Sequence, residues 1–153
     1  MSPTRMKLFW SAVAIQVAGA QIYLWDVLPN YQRLTSGAGH VGSPADYALG
    51  LTGIVLMQSG YWSARRFEPL TGFRRRTVIG HLMLCFGEVS FFFINSLAAI
   101  ILFDHWKKTE FSPWKLLVLA ASIFAFFCYK YQLVKIGDAM LTEREPLQTN
   151  PSC

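Results

Sequence analysis

The residues of this sequence best placed to do chemistry lie within long apolar stretches. His81, Glu88 and Asn95 are spaced seven apart in the run from Val78 to Phe103. That spacing sets them along one face of a helix, with Cys85 and Phe92 beside them. Gln16, Gln58 and Lys130 fall within three other apolar runs. A carboxylate, an imidazole, an amine and several amides gathered in a low-dielectric setting can form a proton or ion relay, or a polar pocket for a small ligand. The same groups also serve as hydrogen-bonding glue between helices, which is the commoner role for a single acid flanked by amides.

Other chemistries find little footing. The sequence contains no CxxC, HExxH, GxSxG or P-loop pattern. Of its three histidines, His40 and His105 are expected on one side of a membrane and His81 on the other, so one chain cannot offer two axial histidines at one depth to a b-type haem. Cys85, Cys128 and Cys153 are odd in number and widely spaced, which argues against a disulfide scaffold. No catalytic residue, metal or cofactor is expected, and the sequence points away from an enzyme.

The elements that must position the polar groups follow from composition. Across 153 residues, apolar types make up 53% and charged types 15%, against about 25% charged in soluble domains. Mean hydropathy is +0.32. Such a chain dissolves in lipid. Crossing ~30 Å of hydrocarbon takes about 20 helical residues, and four stretches qualify: about 8–28, 46–63, 78–103 and 113–135. The second is the shortest and richest in glycine. Ser43-Pro44 and Ser112-Pro113 each place a capping serine before a proline suited to the first helical position. Loops are expected at Pro29-Asn30, at Gly37–Gly42 and at Glu68–Gly72. Trp10, Trp25, Trp62, Trp106 and Trp114 all fall at or near span ends, as an aromatic belt requires.

Counting basic residues gives the orientation. Arg5, Lys7, Arg65, Arg66, Arg74, Arg75, Arg76, Lys130, Lys135 and Arg144 lie toward one side, against Arg33, Lys107, Lys108 and Lys115 on the other. The positive-inside rule then places both termini in the cytoplasm. The net charge of +5 is thereby assigned to membrane orientation, and no nucleic acid is expected. Ala18-Gly19-Ala20 resembles a signal-peptidase site, but apolar character continues through Trp25 to full spanning length, so the segment is expected to be retained. With this topology Gln16, Gln58, His81, Glu88 and Lys130 all fall in the cytoplasmic half, where a bundle could bring them together. Lys130, about five residues from its expected inner end, is expected to snorkel to the headgroups or to pair with Glu88.

Small residues mark packing faces: Gly50, Gly53 and Gly60 with Met57 on the second span, and Ala14 and Ala18 with Ser11 on the first. Arg65, Arg66, Arg74, Arg75 and Arg76 carry a second expectation, contact with anionic headgroups. The aromatic runs Phe91–Phe93 and Phe124–Phe127 are too wide to face a four-helix core alone, so part of them must meet lipid or another membrane protein.

The fold expected is therefore an all-α integral membrane protein, a single domain of four transmembrane helices in a bundle, with a polar tail over 138–153. Its expected partners are the lipid bilayer and other integral membrane subunits. A bacterial inner membrane and a eukaryotic internal membrane fit equally. The leading functional expectation is a non-catalytic accessory or scaffolding subunit of a larger membrane complex. The rival is a small oligomeric transporter or proton-conducting protein built on the Glu88 patch. A weaker third is a membrane enzyme or electron carrier that borrows its cofactor site from a partner.

Overall fold

The computed structural model describes residues 3–35, 44–68, 76–108 and 113–142, apart from some side chains near the helix ends. The caps at Ser43 and Ser112, His40, Arg74, Arg75 and the chain beyond Thr142 lie outside the described residues, as do the side chains of His105 and Trp106. Among the described residues all regular structure is helical: α1 Pro3–Thr35, α2 Pro44–Phe67, α3 Thr77–Lys108 and α4 Pro113–Leu141. At 1.5 Å per residue these helices are roughly 36 to 50 Å long. Three contain stretches long and apolar enough to cross a membrane, Pro3–Pro29, Thr77–Phe103 and Leu116–Leu141. α2, at 24 residues, is shorter and less apolar.

The helices form two antiparallel hairpins. α1 packs along α2, α3 packs along α4, and α4 then lies against α2 with a smaller contact to α1. α3 is thus an edge helix that leans on α4. Each hairpin closes on a pair of glycines that let backbones touch. A Cβ on Gly19 would lie 2.8 Å from the Gly53 carbonyl oxygen, and one on Gly53 would lie 2.9 Å from the Gly19 oxygen. Gly80 and Gly137 repeat the arrangement between α3 and α4, at 3.1 Å and 2.8 Å. Gly60 meets α1 at Ala12 and Gln16.

Two apolar clusters fill the interior. One draws on all four helices, with Ala20, Tyr23, Ile54, Met57, Ile94, Leu97, Ala125, Phe126, Tyr129 and Leu133. The other lies toward the α1 N-terminus and holds Phe9, Ala12, Val13, Ala64, Ile136 and Met140.

Two helix ends differ from the sequence expectation. α1 runs through Pro29 to Thr35 rather than breaking there. Proline removes one backbone donor and crowds the carbonyl four residues back, here that of Trp25, whose side chain is 84% exposed near the end of the apolar stretch. Beyond it, Asn30, Gln32 and Arg33 are polar, so water can meet the freed carbonyl. α4 continues past Lys135 to Leu141 because Ile136 and Met140 are buried in the second cluster. Lys135 itself reaches Glu68 at the end of α2, Nζ to Oε1 2.7 Å.

Candidate functional site

The longer α4 changes the position of Lys130. In the apolar stretch Leu116–Leu141 it stands near the centre, and Glu88 stands near the centre of Thr77–Phe103. Gly87 brings α3 close to the α4 backbone at Lys130 and Leu133, and there the two charges meet, Lys130 Nζ to Glu88 Oε2 2.8 Å. The ammonium also lies 5.1 Å from the centre of the Phe91 ring, within cation–π range. The pair sits on the outer surface: the Lys130 side chain is 29% exposed and that of Glu88 57%. Exposed Leu82, Phe86, Val89 and Phe92 surround this position along α3.

The other residues singled out by the sequence divide into separate places. Asn95 donates its Nδ2 hydrogen to the Phe91 carbonyl one turn back, at 2.7 Å, and so satisfies its own helix. His81 and Cys85 are exposed on the same helix, His81 near its start. Gln16 is fully buried beside Gly60. Gln58 lies beside the buried Cys128 thiol of α4. Lys130 and Gln132 are two residues apart, about 200° around α4, so the charged pair and the glutamines occupy opposite sides of that helix. The structure therefore joins Glu88 to Lys130 and keeps both apart from Gln16 and Gln58.

Packing residues are likewise redistributed. Gly50, Gly53 and Gly60 of α2 are buried, with Gly50 3.2 Å from Asp26 Oδ2 by its virtual Cβ. Ser11, Ala14 and Ala18 are exposed; α1 meets α2 instead through Ala12, Gln16 and Gly19. The two stripes on α1 stand roughly 130° apart on the helical wheel, but both hold small residues, so composition alone does not choose between them.

At the C-terminal end of α2, Trp62, Ser63, Arg65, Arg66 and Phe67 line an open recess of about 520 Å³. Arg65 lies over the Trp62 ring at 5.8 Å. Arg65, Arg66 and Arg76 are exposed. Among the described residues no group of three histidine, cysteine or acidic side chains could hold a metal ion.

Two features escape the sequence reading. Tyr23 donates its hydroxyl hydrogen to Ser122 Oγ across the bundle at 2.8 Å, and Ser122 donates in turn to the Val118 carbonyl at 2.8 Å. Gln132, buried at 3% exposure, is the second. Its signal is the spacing of Ala125, Tyr129, Gln132, Ile136 and Met140, one buried stripe at helical period. A span ending at Lys135 puts this glutamine close to the interface and hides that signal.

Comparison with protein-family models, with curated proteins and with solved structures found no match.

Proposed function

We propose that this chain is a non-catalytic subunit of a larger integral membrane complex, crossing the bilayer four times with both ends in the cytoplasm and docking through the outer face of α3. The observation that carries the reading is the Glu88–Lys130 pair. It sits near the middle of an apolar stretch, on an edge helix, with the carboxylate more than half exposed. Facing acyl chains there, a charged side chain costs about 2.5–3.5 kcal/mol on insertion scales. A neighbouring transmembrane helix that presents a hydrogen-bonding side chain at this depth would remove the cost. The face around the pair, with Leu82, Phe86, Val89 and Phe92 exposed, suits such a helix.

α2 is read as a fourth crossing because it lies antiparallel along α1 from Gly50 to Ala64. Its glycines lower its hydropathy on the face turned to α1, where lipid does not reach. Transport through the Glu88 patch has less support, since Glu88 and Lys130 face outward while Gln16 and Gln58 lie across α4. Exposed Arg65 and Arg66 beside Trp62 suit anionic headgroups at the cytoplasmic surface.

The test is gentle detergent extraction from the native membrane, followed by particle mass and identification of components. A stoichiometric heteromeric particle is the expected result, with a photo-crosslinker at Val89 or Phe92 capturing the same partner. A monomer or a homo-oligomer overturns the reading.

A further inference from the structure

The two apolar clusters share only the half-buried Val17 as a neighbour, and the level between them carries buried amides. On α1 the first cluster ends at Ala20 and the second begins at Val13; on α2 the limits are Met57 and Ala64, and on α4 Leu133 and Ile136. Gln16 and Gln58 fall inside those limits and Gln132 adjoins them, one residue before Leu133, so three helices contribute one glutamine apiece to within about one turn of the same level. Contacts agree with this register: Gln16 abuts Gly60, two residues from Gln58, and Gln58 reaches Cys128, one turn from Gln132. Gln16 is 0% exposed and Gln132 3%.

Four of their amide atoms are buried without a hydrogen-bond partner among the described residues: both Nε2 and Oε1 of Gln16, Nε2 of Gln58 and Nε2 of Gln132. A buried amide left without a partner costs about 1–3 kcal/mol in mutational terms, and three in one slab is a heavy sum for a small bundle. The groups call for a ligand that can accept several hydrogen bonds and donate at least one. None of the three side chains is charged, so an ion placed among them would lose hydration without gaining a counter-charge. Lys130 is already committed to Glu88 on the far side of α4.

We infer that the glutamine layer is an internal water-binding site, closed above and below by the two apolar clusters. One or two waters, at roughly three hydrogen bonds each, suffice for the partnerless groups. The site is independent of any partner on α3, because it lies on the opposite side of α4.

Hydroxyl-radical footprinting of the full chain in lipid nanodiscs tests this, since radicals generated from bound water oxidise the sulfur atoms that touch it. Met57 and Cys128 border the layer, whereas Met140 is comparably buried in the second cluster. Met57 and Cys128 should oxidise roughly tenfold faster than Met140, the contrast between sulfur in contact with water and sulfur shut away from it. Equal rates for the three overturn the inference. Gln16→Leu supplies a second readout. A hydrated amide predicts slower Met57 oxidation and a lower Tm, whereas a dry, partnerless amide predicts an unchanged rate and a higher Tm. The second pair of results also overturns it.

Discussion

A charge in a membrane is judged by what remains when its partner is removed. Glu88→Leu would leave Lys130 near the centre of its helix with only the Phe91 ring for company, and Lys130→Leu would strand the carboxylate. Each single change should destabilise the chain by roughly 2–3 kcal/mol in a bilayer-like environment, the insertion cost of a mid-span charge. The double change to Leu should recover most of that loss, because no unpaired charge survives it. Thermal unfolding in nanodiscs checks the cycle; additive losses would show that the 2.8 Å contact contributes no coupling. The Tyr23–Ser122 bond is a milder case. Tyr23→Phe removes one donor, and Ser122 keeps its bond to the Val118 carbonyl. The expected loss is about 0.6 kcal/mol, typical of hydrogen bonds between membrane helices, and a drop of several kcal/mol in the same unfolding assay would contradict it.

At the scale of the elements, the hairpins depend on glycine in an unequal way. A Cβ on Gly53 would fall within 3.0 Å of the Gly19 oxygen and of the Tyr23 nitrogen and Cβ, atoms that cannot swing aside. Gly53→Ala should therefore push α1 and α2 apart and cost roughly 1–3 kcal/mol, as overpacking does. Gly87→Ala meets its nearest neighbours at 3.3 Å and beyond and should cost clearly less. Comparing the unfolding temperatures of the two variants decides this. Much of the element level was legible in the sequence: four helices, the glycine face of α2, and an aromatic surplus that leaves Phe92, Phe124 and Phe127 exposed while Phe126 is buried. What was not legible depends on tertiary contact. Lys135 and Asp138 end the apolar run of α4 in the sequence, yet Ile136 and Met140 find a core that extends the helix. That extension moves Lys130 inward, where it pairs with Glu88, and it places Gln132 among buried neighbours. The polar patch expected as one site therefore divides in two, because sequence depth says nothing about which side of a helix its partner occupies.

For the whole molecule the number of crossings turns on α2, and the fold supplies a sharp test. The start of α1 and the end of α4 lie together, since Phe9 and Met140 share a cluster. The Arg76 amide donates to the Met140 carbonyl at 3.2 Å, and Lys135 bonds Glu68. The beginnings of α1 and α3 and the ends of α2 and α4 thus gather at one end of the bundle. With Lys130 set aside as a paired mid-helix residue, six basic residues among the described ones, Arg5, Lys7, Arg65, Arg66, Arg76 and Lys135, still belong to that end, against four on the opposite helix ends. Four crossings then put Thr4 and Thr142 both in the cytoplasm. If α2 lay outside the bilayer while α1, α3 and α4 crossed it, the odd number of crossings would send these two positions to opposite sides. In a variant lacking Cys85, Cys128 and Cys153, cysteines introduced by Thr4→Cys and Thr142→Cys should resist a membrane-impermeant maleimide in intact cells and react after permeabilisation. With the chain expressed in a bacterial inner membrane, Gln32→Cys, at the far end of α1, should react in intact cells. Labelling of just one of the two termini from outside would remove α2 from the membrane. It would also mean that the α1–α2 glycine contact forms elsewhere than in lipid.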